Sequence, residues 1–198
     1  MVANTANIFY YAAGSDPYSN GSGSAMLGEN QTTCDNVIGS ANYDMGHVFS
    51  TGGGGVAYLG CICNNPNKAG GVTGQPSPIG DPFSIDYVAH EMGHQLGGNH
   101  TQYNNCNRSS LAAMEPGSAS TIMGYAGICS PNVQNNSDAY YHAKSIKEIK
   151  NELQSNSCHA VISFVNQAPV VSALTNFSIP VSTPFILTAS ATDPEGDP

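Results

Sequence analysis

"GDPFSIDYVAHEMGHQLGGNHT", residues 80–101, decides how this chain is read. From Phe83 onward Ile85, Val88, Ala89, Met92 and Leu96 recur at roughly helical spacing, and Gly97 and Gly98 then break the pattern. That predicts a helix ending at the paired glycines. Pro82 suits an early helical position, and Asp81 or Ser84 is expected to cap the start. His90 and His94 are four residues apart, so on a helix both rings leave the same face with Cβ atoms about 5–6 Å apart. Two imidazole nitrogens so placed can meet one ion at about 2.0–2.1 Å. Glu91 lies about 100° further round, beside such an ion but outside its ligand shell, where a carboxylate can handle a water proton. His100 joins them only if the chain turns sharply. Gly97 supplies that turn, because a residue without Cβ accepts the left-handed conformation that ends a helix. Three histidine ligands leave a fourth position open, which is the arrangement of a catalytic rather than a structural zinc.

The rest of the composition narrows the function classes. Fourteen acidic side chains against five basic ones, with no basic cluster, argue against a nucleic-acid partner and against an anionic membrane surface. No run of about 18 apolar residues is present to span a bilayer. The N-terminal "MVANTANIFYY" has neither the basic start nor the apolar core of a secretory leader. Six cysteines, at 34, 61, 63, 106, 129 and 158, are an even set that fits up to three disulfides and an extracellular location. Pairing stays open at this point.

Short β-prone stretches separated by Gly- and Asn-rich turns fill the first 80 residues. "VANTANIFYY" and "YDMGHVFS" read as strands, a short helix fits Thr33 to Ile38, and "GGGGVAYLGCIC" reads as a strand entered through glycines. The stretch "NNPNKAGGVTGQPSPIGDP" reads as a long loop. Ile146, Ile149 and Leu153 make one apolar stripe on a helix from about Ala143 to Leu153, with Lys144, Glu148 and Glu152 on its solvated side. After Val165 the Pro-bounded, β-prone texture resembles the opening strands of a sandwich.

HEMGHQLGGNH fits the extended HExxHxxGxxH of the metzincin metallopeptidases, and its flanks resemble their reprolysin-like bacterial branch. The resemblance covers roughly residues 1–160. It implies zinc as cofactor, a polypeptide substrate and a downstream turn with a methionine beneath the metal, for which "STIMGY" offers Met123. In astacin-like and serralysin-like relatives the tyrosine of a Met-x-Tyr pattern can ligate zinc and then swing to stabilise the transition state, which makes Tyr125 a candidate. The resemblance also implies that an extended substrate pairs with an edge strand. The candidate there is "GGGVAYLG", with Gly54, Gly55, Val56 and Ala57 at its centre.

Two departures from the family stand out. Snake-venom-type reprolysins carry Asp after the third histidine, where this chain has Thr101. Metzincin domains also begin with a strand and a long backing helix, and here strand-like residues follow Met1 almost at once. The expected fold is therefore α+β: an α/β/α-like catalytic domain over residues 1–165, N-terminally truncated, with a twisted mixed sheet, an active-site helix and a C-terminal helix. Residues 166–198 are expected to be a linker and the first strands of a truncated β-sandwich of Ig or cadherin-like type. Calcium has no EF-hand pattern to support it, and nothing in the sequence indicates oligomeric state.

The function expected from this reading is secreted, zinc-dependent endopeptidase activity with His90, His94 and His100 as ligands and Glu91 as general base. The competing reading is a catalytically silent, metal-stabilised binding or adhesion protein. An intact Glu91 favours the enzyme, because a structural site needs only the histidines.

Overall fold

The structure is a computed structural model that describes residues 6–52, 54–160, 162 and 165–196. It divides into two compact units, Met1–His159 and Ala160–Pro198.

In the first unit the chain opens with a 3-10 turn at Ala6–Ile8. The expected first strand is therefore corrected at these residues, and its start, residues 2–5, lies outside the described ones. Helix α1 follows at Gly23–Val37. It is ten residues longer at its start than the short helix expected at Thr33–Ile38, and it packs on the sheet through Met26 and Leu27. Ser22 caps it by accepting from the Ala25 N–H. Its inward face escapes an apolar pattern because polar Asn30 and Thr33 are buried beside Met26, Leu27 and Cys34. The buried Asn30 amide donates to the Ala69 carbonyl, and the side-chain oxygen of half-buried Gln31 accepts from the Ala69 N–H.

Three short strands form one mixed sheet in the order β1-β3-β2, with β1 at Val48–Ser50, β2 at Gly54–Ala57 and β3 at Gly71–Gly74. β1 runs parallel to β3 and β2 antiparallel to it. This mixed sheet with helices gives the α+β class expected from the sequence. β3 is the central strand and wholly buried, although its stretch reads as loop in the sequence. Only Val72 is large and apolar there, and the flanking glycines make room for close neighbours: a Cβ at Gly71 would meet the Gln95 side chain and His47 Nδ1. Met26, Leu27, Val48 and Val72, with Tyr18 and Val56 packed on them, form the core where α1 meets the sheet. Burying such side chains stabilises by about 1.5–3 kcal/mol each.

The quoted stretch is helical from Gly80 to Gln95, as α2 at Gly80–Phe83, a π-helical segment at Ser84–Ala89 and α3 at His90–Gln95. Its N-cap is Ile79, with no side-chain bond, so neither Asp81 nor Ser84 caps it. The wide π turn is pinned from outside. Asp86 Oδ1 accepts from the Ser137 N–H at 2.7 Å, and the Tyr141 hydroxyl donates to the Ala89 carbonyl at 2.7 Å.

Helix α4 at Ala143–Ser155 is capped by the His142 ring, which accepts from the Lys144 N–H. The expected apolar stripe is corrected in part, because Ile149 is half-buried but Ile146 and Leu153 are exposed. Ile146 is 55% exposed, whereas Glu148 accepts from the Asn99 N–H at 2.9 Å and Glu152 lies beside Gly60 and Gly97. The helix therefore supports the turn after α3 with carboxylates. Cys106 pairs with Cys129 and Cys63 with Cys158, while Cys34 and Cys61 are buried thiols, so two of the three allowed bridges are present. Burial pushes the Cys34 thiol up to about 11, which keeps it in the unreactive form. In the second unit, β4 at Val170–Val171 pairs antiparallel with β5 at Ala191–Thr192.

Candidate metal centre

Helix α3 ends in the turn that the glycines suggest. The Gly98 N–H bonds to the Gly93 carbonyl and the Gly97 N–H to the His94 carbonyl, each at 2.8 Å, and Gly97 has φ +88°. This pair of bonds is a Schellman motif, and the left-handed residue in it favours glycine. Gly97 has a second reason to lack a side chain, since a Cβ there would lie 3.0 Å from Cβ of Glu152. The reversed chain brings His100 back over α3.

The three rings meet. Nε2 of His94 lies 3.1 Å from that of His90 and 3.0 Å from that of His100, and the third side of the triangle is 3.2 Å. On the far side of each ring, Nδ1 faces a backbone carbonyl: Ile122 for His90 at 2.7 Å, Gly98 for His94 at 2.8 Å and Asn107 for His100 at 2.8 Å. A carbonyl only accepts, so each Nδ1 carries the proton and each Nε2 presents a lone pair. Burial pushes His90 down to about 3, with the neighbouring His94 and His100 adding to it. His94 falls to about 4 through burial and His100, and burial lowers His100 as well. Three neutral acceptors around one point cannot bond to one another. A cation satisfies them, and ligands about 2.0–2.1 Å from a tetrahedral ion stand roughly 3.3 Å apart, close to the separations seen. The residues fit zinc, and their carbonyl partners fix ring orientation as outer partners of metal-bound histidines do.

Glu91 is buried on the same helix, beside the edge strand β2. A Cβ built on Gly55 would lie 2.6 Å from Glu91 Cγ and 2.7 Å from Cδ, so the missing side chain of Gly55 makes space for this carboxylate. Burial raises Glu91 to about 7. Gly54, Gly55, Val56 and Ala57 constitute β2, which pairs with β3 on one side and, among the described residues, with no strand on the other.

Met123 is fully buried beneath α3, in contact range of Gly93, where an added Cβ would collide with the Met123 sulfur. Its carbonyl accepts from the Thr101 N–H at 3.1 Å, just after the third histidine. The Tyr125 ring is edge-on to His100, with centroids 4.5 Å apart, and its hydroxyl accepts from the Asn107 amide at 3.1 Å. The remaining histidines lie elsewhere. His47, for example, bridges Gln95 and Thr73.

Three residues of the site carry no signal in the sequence. Gly93 lies inside HExxH at a position where any residue satisfies the motif. Asn107, with φ +50°, gives its carbonyl to His100 and its amide to Tyr125. Glu115 is buried and accepts from the Thr121 hydroxyl at 2.6 Å and from the N–H groups of Ser120 and Thr121. Burial acts to raise its pKa, but those hydrogen bonds outweigh burial and hold the carboxyl below its usual range. With Thr101 following the third histidine, the buried acid that braces the methionine turn is Glu115.

A family model described as Metallo-peptidase family M12B Reprolysin-like matches residues 1–101, about half the chain and all three histidines. No curated protein matches the chain.

Proposed function

Because the chain belongs to the reprolysin-like M12B metallopeptidases, whose members are zinc-dependent, we propose that it is an extracellular endopeptidase with Glu91 as general base. The single observation that carries this reading is the triangle of three neutral imidazole acceptors with a buried carboxylate one residue along the same helix.

His90, His94 and His100 are the residues that would hold zinc, each locked by its carbonyl partner. Zinc so held supplies Lewis acidity toward a water and toward the scissile carbonyl. Glu91 takes a proton from the attacking water and returns it to the leaving amine. Burial raises this carboxyl to about 7 in the metal-free chain, the direction that strengthens it as a base. An extended peptide adds to the free edge of β2, where Gly54, Gly55, Val56 and Ala57 offer backbone groups beside Glu91. Tyr125 donates to the developing oxyanion, a role supported by its hydroxyl accepting from Asn107 and its ring lying against His100. Gly97 and Met123 act beneath the site, the first by turning the chain and the second by filling the space under α3. Secretion agrees with the two disulfides. Among the described residues no helix is long and apolar enough to cross a membrane.

The test is Glu91→Ala, assayed on a denatured protein substrate with and without chelator. The variant should bind zinc as the unaltered protein does and lose hydrolysis. Retained turnover refutes the role of Glu91, and chelator-insensitive turnover refutes the metal mechanism.

A further inference from the structure

Arg108 is the only arginine in the chain and one of five basic side chains against fourteen acidic ones. It lines a cleft of about 300 Å³ whose floor includes His94 and His100, and no carboxylate lines that cleft. None of the four lysines lines that cleft. Lys68 donates to the Ser40 carbonyl and lies over the Tyr43 ring, and Lys144, Lys147 and Lys150 belong to α4. A lone guanidinium on an acidic protein, facing the metal ligands across a cleft, points to a substrate group of opposite sign.

The position of Arg108 is built rather than loose. Its guanidinium lies over the Tyr103 ring, 4.2 Å from the centroid. The preceding residue, Asn107, gives its carbonyl to His100, so the backbone beside the arginine is tied directly to a metal ligand. One residue earlier, Cys106 is joined to Cys129, and its carbonyl accepts from Gln102 at 2.8 Å. Ser109 bonds to Asn99 across the same loop. The Lys144–Glu148 contact is the one ion pair among the described residues, so no carboxylate of these residues is paired with Arg108.

We propose that Arg108 selects acidic peptides, by pairing with the carboxylate of a glutamate or aspartate next to the scissile bond. The guanidinium fork matches a carboxylate in a way that an ammonium does not, and the exposed Leu59 on the cleft wall accommodates the aliphatic stem. This selection rests on the peptidase reading above.

The test is positional scanning with zinc-loaded protein and peptides that carry Glu, Asp, Gln, Ala or Lys on either side of the cleaved bond. The ratio of kcat/KM for Glu over Gln at one of these positions should be about tenfold in the unaltered protein. It should fall toward one in Arg108→Ala and invert in Arg108→Glu, with Lys preferred. A ratio that Arg108→Ala leaves unchanged overturns the proposal. So that a failure of catalysis stays distinct, the same peptides are titrated by fluorescence anisotropy against zinc-loaded Glu91→Gln. Tighter binding of the Glu peptide than of the Gln peptide, abolished by adding Arg108→Ala, supports the selection whatever the turnover. Equal binding overturns it. Absence of cleavage by the unaltered protein refutes only the peptidase reading.

Discussion

Replacing Gly55 by alanine places one methyl group against the catalytic carboxylate and tests the architecture of the site. The built Cβ lies 2.6 Å from Glu91 Cγ and 2.7 Å from Cδ, where ordinary carbon contacts are about 3.5–4.0 Å. Something must retreat by about 1 Å. β2 resists, because it is laddered to β3 through the Gly55 and Thr73 pair, and Gly55 does not have the positive φ that would strain an alanine. The Glu91 side chain yields, being the flexible partner. A displacement of that size at a reacting group costs about 10²-fold in rate, or roughly 2.7 kcal/mol of barrier.

Zinc content and the thermal midpoint should stay close to those of the unaltered protein, since no histidine is touched. The fall should appear in kcat, measured with an internally quenched peptide, and KM should change little. Gly28→Ala on α1 is the control, because a Cβ there meets nothing within 4 Å. A Gly55→Ala protein that retains zinc and turns over within a factor of about three of the unaltered rate, well short of the 10²-fold expectation, would refute the claim that β2 positions the base.

Gly93→Ala drives a methyl group into the Met123 sulfur beneath α3, with Tyr141 Cε1 only 3.1 Å away on the other side, and should destabilise the protein by about 1–3 kcal/mol in urea titrations. Glu115→Gln removes a carboxylate held below its usual pKa by hydrogen bonds that outweigh its burial. Its stabilising effect is present above the unfolded pKa and lost as pH falls through the folded one, so melts of wild type and variant should differ at pH 7 and converge in acid. Glu91 has the opposite sign in chelated protein. Burial raises it from 4.5 to about 7, so the folded form binds the extra proton and stability falls as pH rises through that window. The interval corresponds to roughly 3 kcal/mol, and chelated Glu91→Gln should overtake wild type above pH 7 in thermal melts. An equal gap at pH 5 and pH 8 would contradict this.

The site was legible where a rigid period meets a single chemistry. His90 and His94 share a face because a helix repeats, and Gly97 and His100 follow because only a reversal brings a third ring back. Edge strand β2 was legible from its glycine run. β3 and α1 were not, because the inward positions hold Gly71, Thr73, Asn30 and Thr33, which bury through close approach and hydrogen bonds without an apolar rhythm. The orientation of α4 was only partly legible for a related reason, with Ile149 alone of its stripe half-buried. Its carboxylates face the turn after α3, where Asn99 offers an N–H, and the stripe of Ile146 and Leu153 is left on the outside. Asn107 and Glu115 act through backbone groups remote in sequence, and residue type says nothing about such pairings.

The bridge between Cys106 and Cys129 embraces both halves of the centre. The residue after Cys106 steadies the third imidazole, and the strand of chain leading to Cys129 carries the methionine and the phenol. Chemical reduction therefore reaches the cation without touching any of its ligands. Reducing this bridge should speed zinc release in a chelator competition while all three imidazoles stay intact.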